Sequence, residues 1–262
     1  MISSFLFALA MAGSADCHTV PGAERLWAPG VRYVVVGELH GTNETPDGFA
    51  NLACLAGNSG RPVTVALEYP ADAQAAIDAW LQSDGSERAR AALLALPIWH
   101  GEMQDGRGSV AFLRLFERLR VLKQAGRLRG FVASDVVALP QQGTRDAAMA
   151  ESWKRIDAGT DGMVLVLVGN LHAMRQEREG FQMVPAASFL PRDRTVTLNV
   201  VGNGGEAWNC QAEGCGAHRA GPERAAAEGI VLSDDAADSW DARYELGKPM
   251  TAAGPAIPKA GG

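Results

Sequence analysis

The sequence predicts a single α/β domain with a mainly parallel, or mixed, central sheet and helices on both faces. Three observations carry this. Short runs of β-branched and aliphatic residues recur, most of them stopped by Gly or a charged residue. Stretches with helical spacing of apolar residues, or with a helix cap, alternate with those runs. The alternation is that of βαβ units, whose parallel sheets are buried on both sides. A length of 262 residues suits one such domain, and 47% hydrophobic with 21% charged residues is an ordinary globular balance.

In chain order, residues 1–15 read as a signal peptide. The run from Phe5 to Ala12 is apolar but too short to cross a bilayer as a helix. Ala10-Met11-Ala12 and Gly13-Ser14-Ala15 both offer a small-x-small cleavage site, although no basic residue precedes Arg25. Residues 16–250 form the domain, and 251–262, rich in Pro, Ala and Gly, form a flexible tail. Residues 33–37 make the first strand, and 47–56 a crossover helix to the second, 63–67. Residues 71–82 carry Ala75, Ala76, Ala79 and Trp80 at helical spacing. Residues 97–108 are a long mixed loop, of the kind that covers active sites.

Residues 110–125 carry Phe112, Leu113, Leu115, Phe116, Leu119 and Leu122 as an apolar stripe, with Ser109 as cap and Gly126 as stop. A strand at 129–133, a helix at 145–157 capped by Thr144, and strands at 163–168 and 195–201 complete the pattern.

The net charge is −6 and no lysine-rich block occurs, so nothing prepares a nucleic-acid footprint. No membrane span is expected, and the partner is a small-molecule or peptide substrate. Cys210 and Cys215 stand close enough to close a small disulfide loop, with Cys17 and Cys54 as the remaining pair. Zinc held with the help of His218 is the lesser alternative. Disulfides and a signal peptide together predict export, periplasmic or extracellular. Asp16 argues against lipid attachment at Cys17.

The chemistry lies just past the strands. Val34-Val35-Val36-Gly37 runs into Glu38-Leu39-His40, and Val164-Leu165-Val166-Leu167-Val168-Gly169 runs into Asn170-Leu171-His172. Glu68 follows the second strand. Open α/β sheets keep their ligand sites at these carboxyl ends. Glu38 and His40 share a face if the strand persists, and a carboxylate beside an imidazole raises its basicity and orients it. His40 could then take a proton from water, with His172 as a second acid–base group. Glu38, His40, Glu68 and His172 could equally hold Zn²⁺ or Mn²⁺. Arg145 is a candidate clamp for a carboxylate or oxyanion. Tyr69, His100, Arg107 and Asn170 are candidate substrate-binding residues. No Gly-x-Ser-x-Gly elbow occurs, and Gly202-Asn203-Gly204-Gly205 lacks the Lys-Ser/Thr of a phosphate loop.

Four strings stand in a recognisable order: Gly37-Glu38-Leu39-His40-Gly41-Thr42-Asn43-Glu44, Ala66-Leu67-Glu68, Thr144-Arg145-Asp146-Ala147-Ala148-Met149, and Gly169-Asn170-Leu171-His172-Ala173. From about Val31 to Ala173 the chain resembles the superfamily of erythromycin esterases, ChaN-like haem-binding lipoproteins and TIKI/TraB proteases. The esterase resemblance implies His40 as base, supported by Glu38 and Glu68, with His172 and Arg145 lining the site. The TIKI resemblance implies a divalent metal on the same residues, and the ChaN-like resemblance implies haem. Esterases place two residues between the first Glu and His, and a His where this chain has Gly169. The Glu-x-His and Gly-Asn-x-His spacings stand nearest the ChaN-like branch, and His-Gly-Thr-x-Glu leans toward the esterases. The expectation is an exported hydrolase-like protein acting on an ester or amide; the alternative is a haem- or metal-binding envelope protein without catalysis.

Overall fold

The computed structural model describes residues 16–101, 104–136, 144–156, 159, 161–178, 180 and 182–258. Its main sheet contains β1 (Tyr33–Glu38), β2 (Val63–Pro70), β3 (Gly130–Asp135), β4 (Met163–Gly169), β5 (Thr195–Val201), β8 (Gly229–Leu232) and β9 (Ala242–Glu245). The strand order is β3-β2-β4-β1-β5-β9-β8, and every pairing is parallel except the edge pair β8–β9. A separate antiparallel hairpin joins β6 (Glu206–Gln211) to β7 (Gly214–Arg219).

The period of two along each strand divides the core. Val34, Val36, Val65, Leu67 and Leu165 face one side, packed by α1 (Glu44–Gly57), α2 (Gln74–Gln82) and α4 (Val110–Gln124). Val35, Ala66, Val164, Val166 and Val168 face the other, against Met149 and Trp153 of α5 (Arg145–Lys154). Ser109 caps α4 by accepting from the Phe112 amide, and Thr144 caps α5 by accepting from Ala147.

The chain leaves β1 toward β2 and leaves β4 toward β5, on opposite sides of the β1–β4 pair. That reversal is a switch point, and it opens a crevice at the carboxyl ends of these two strands. All the strand-end motifs therefore belong to one crevice.

Elements outside the expected set are polar or short. Helix α3 (Glu87–Leu94) buries only Leu93, and β7 lacks apolar alternation. The helix expected at 71–82 begins as a 3-10 turn, Ala71–Ala73, directly after Pro70. The tail expected to fray from residue 251 is instead packed as far as Ala256. Ala252 bridges Thr42, Pro255 bridges Ser109, the Ala256 amide bonds the Gly108 carbonyl, and Ala253 is buried. Its backbone groups find partners in the loops beside the crevice, so small side chains there allow close approach. The signal-peptide segment lies outside the described residues.

Candidate functional site

Glu68 is placed by an irregularity in β2. The β2–β4 ladder ends at Leu67–Leu167, and the β2–β3 register shifts between Leu67 and Pro70. Such shifts re-aim side chains. Beyond the last ladder pair the Glu68 carboxylate takes the place of a backbone acceptor: Oε2 receives the Gly169 amide at 2.7 Å. Oε1 accepts from Arg145 at 2.6 Å and from Arg107 at 3.3 Å.

Around this buried hub stand two acid-backed imidazoles. His40 Nδ1 lies 2.9 Å from Glu38 Oε1, and its Nε2 lies 3.6 Å from Glu68 Oε2. His172 Nδ1 lies 2.7 Å from Asp146 Oδ1. The Arg145 guanidinium donates to His172 Nε2 at 3.1 Å, which fixes the tautomer: the imidazole proton is on Nδ1 and is given to Asp146. Asp146 is held in turn by the Ala186 amide at 2.8 Å. The two rings flank Gly169, where a Cβ would stand 3.1 Å from His40 Nε2 and 3.4 Å from His172 Cδ2. A side chain at Gly169 would press on His40 Nε2.

Burial alone would lower the His40 pKa. The charge and hydrogen bond of Glu38, then those of Glu68, outweigh burial and push it up to about 10. Glu68 is held far below the usual carboxylate range: burial opposes this, and His40, Arg107 and His172 outweigh it. Two sign rules follow. The His40 contribution to stability is complete below its unfolded value of 6.5 and is lost as pH rises through about 10. The Glu68 contribution is complete above its unfolded value of 4.5 and is lost as pH falls below it. The melting temperature is therefore expected to decline between pH 6.5 and 10, and to decline less in His40→Ala. Parallel profiles in calorimetry would contradict this.

Arg107 is drawn into the cluster from the 97–108 loop. It bonds Asp105 at 2.6 Å and Asp135 at 3.0 Å as well as Glu68. Arg145 also donates to Asp135, at 2.8 Å. Every nitrogen of Arg145 thus already serves a protein partner, so its role is positioning rather than open anion binding. Two expected substrate contacts lie elsewhere. Tyr69 faces the core against Trp99, Phe112 and Phe116, because strand parity sets it opposite Glu68 and beside Leu67. His100 Nε2 bonds the Leu94 carbonyl at 2.9 Å and so satisfies the end of α3. Asp105, Asp135 and Asp146 belong to the cluster although the motifs single none of them out as catalytic.

The crevice is a pocket of about 330 Å³ lined by Glu38, His40, Asp105, Asn170, His172 and, from the hairpin, Asn209 and Cys210. Leu39 and Leu171 line it as well. The hairpin is closed by the Cys210–Cys215 disulfide, and Cys17–Cys54 is the second disulfide, as the sequence predicts. The walls are locked together at Gly41. Its φ is +81°, and a Cβ there would stand 1.9 Å from the Trp208 carbonyl oxygen, so the loop after β1 and β6 meet backbone to backbone.

The four expected metal ligands do not form a cation site. Arg145 reaches both Glu68 and the free nitrogen of His172, where a metal would need lone pairs. Among the described residues no three His, Cys, Asp or Glu side chains converge to hold a metal ion. For haem, Tyr33, Tyr69 and Tyr244 are all buried, which leaves His40 Nε2 as the available donor.

Solved structures share this fold. A succinoglycan biosynthesis protein aligns with a TM-score of 0.63 at 11% identity, over 88% of this chain and 91% of that one. A mutant of the erythromycin esterase EreC in its open conformation aligns with a TM-score of 0.59 at 13% identity, over 87% and 92%. The type III effector HopBA1 aligns with a TM-score of 0.50 at 16% identity, over 90% and 99%. No protein-family model matches the chain, and no curated protein matches its sequence. The motif resemblance is thus met at the level of fold.

Proposed function

We propose that this protein is an exported hydrolase of ester or amide bonds in which His40 activates water without a metal. One observation carries the reading: the Glu38–His40 and Asp146–His172 pairs open side by side on one pocket at the switch point of the sheet. Its likeness in fold to an erythromycin esterase agrees with it. Two disulfides support export, and no helix among the described residues is long and apolar enough to cross a membrane.

Neutral His40 donates Nδ1–H to Glu38 and keeps a lone pair on Nε2. As the water oxygen bonds to the substrate carbonyl carbon, Nε2 takes the water proton. Charge then builds on the carbonyl oxygen, and the side-chain amide of Asn170, a residue of the pocket wall, is the donor assigned to it. When the adduct collapses, the bond to the leaving alkoxide or amine breaks and His40 returns the proton to it. Arg145 and Asp146 hold His172 in place beside this centre.

The test is a panel of aryl esters, alkyl esters and peptides, assayed with a chelator present. Turnover of at least one class that persists in the chelator is expected. Silence across the panel, or activity lost to the chelator and restored by Zn²⁺, would overturn the reading. A binding protein without turnover is the second reading, favoured by the proton that His40 carries at neutrality. A Soret shift on titrating haemin would support it.

A further inference from the structure

Two of the few exposed large apolar side chains among the described residues, Leu39 and Leu171, stand in the crevice. Each follows the acid or amide at a strand end and precedes the imidazole, on the neighbouring strands β1 and β4. They are 36% and 37% exposed, apolar walls beside a charged cluster. The cluster behind them contains five carboxylates, Glu38, Glu68, Asp105, Asp135 and Asp146, against two guanidinium groups, Arg107 and Arg145, and two imidazoles. It keeps a net negative charge and repels anionic substrates. At about 330 Å³ the pocket stands at the small end of ligand sites, which span roughly 300–1,000 Å³.

Resting on the hydrolase reading, we infer that the substrate is a small uncharged ester whose aliphatic acyl chain lies between Leu39 and Leu171. The leucines take the chain out of water while the carbonyl stays beside His40. Each methylene that enters should raise kcat/KM roughly three-fold, until the pocket is filled. A terminal carboxylate on the acyl chain would meet the acidic cluster and be rejected.

The test uses p-nitrophenyl acetate, butyrate, hexanoate and hemisuccinate, together with the unreactive ketones 2-butanone and 2-octanone followed by calorimetry. In the wild type, kcat/KM is expected to climb from acetate to hexanoate and to drop at least about ten-fold from butyrate to hemisuccinate. The ratio of hexanoate to acetate is expected to fall about ten-fold in Leu39→Ser and in Leu171→Ser, and 2-octanone is expected to outbind 2-butanone only in the wild type. Both leucines are surface-exposed, so the variants should fold, which their melting curves check. Hydrolysis with no chain-length dependence, or dependence unchanged in both variants, would overturn this inference and leave the hydrolase reading standing. Chain-length-dependent ketone binding with neither esters nor peptides hydrolysed would keep the apolar contact and overturn the hydrolase reading.

Discussion

Replacing His40 by Ala should cut kcat/KM by about 10³-fold or more, within the range expected for loss of a general base. The fold should survive. His40 is partly exposed, and Glu68 keeps three other partners: Arg145, Arg107 and the Gly169 amide. Circular dichroism and intact disulfides would confirm that the variant is native. Activity within ten-fold of the wild type would remove His40 from the chemistry. His172→Ala is expected to cost less, because that ring already accepts from Arg145 and is not the base.

Glu68→Ala should destabilise the protein by about 3–5 kcal/mol, because removing one partner of a buried ionic cluster strands the rest. The stranded groups would be Arg107, Arg145 and the Gly169 amide, which loses its Glu68 acceptor beyond the end of the β2–β4 ladder. Glu68→Gln keeps the shape but not the charge and should fall between the two. Urea denaturation with an unchanged slope measures this directly. A loss below about 0.5 kcal/mol would show that the cluster is dispensable to the fold, as exposed ion pairs are.

The apolar strand runs made the parallel sheet legible, because buried parallel strands need continuous aliphatic residues on both faces. Placing polar motifs just past those runs was enough to gather Glu38, His40, Glu68 and His172. The partners that complete the site were harder to read. Asp146 at the start of a capped helix has an ordinary local explanation in the helix dipole, and only the tertiary fold brings it to His172. Asp105 and Asp135 join the site through arginines: Arg107 bridges both to Glu68, and Arg145 bridges Asp135 as well. Tyr69 was decidable from parity alone, since it follows Val63, Val65 and Leu67 at a period of two. The hairpin wall carries little apolar alternation; its cue was the Cys210–Cys215 spacing, which marked a closed loop but not its place over the crevice.

The central claim is that Glu38 and Glu68 set the proton affinity of a catalytic His40. The pH dependence of kcat/KM in wild type and Glu38→Gln, measured with chelator present, tests it most directly. In the wild type, log kcat/KM should rise with unit slope from neutrality toward about 10, as His40 gives up its proton. Removing the Glu38 charge lowers the His40 pKa, so the limb in Glu38→Gln should move to lower pH. A wild-type profile that is flat from neutrality to pH 10, or the same limb in both proteins, would contradict the account.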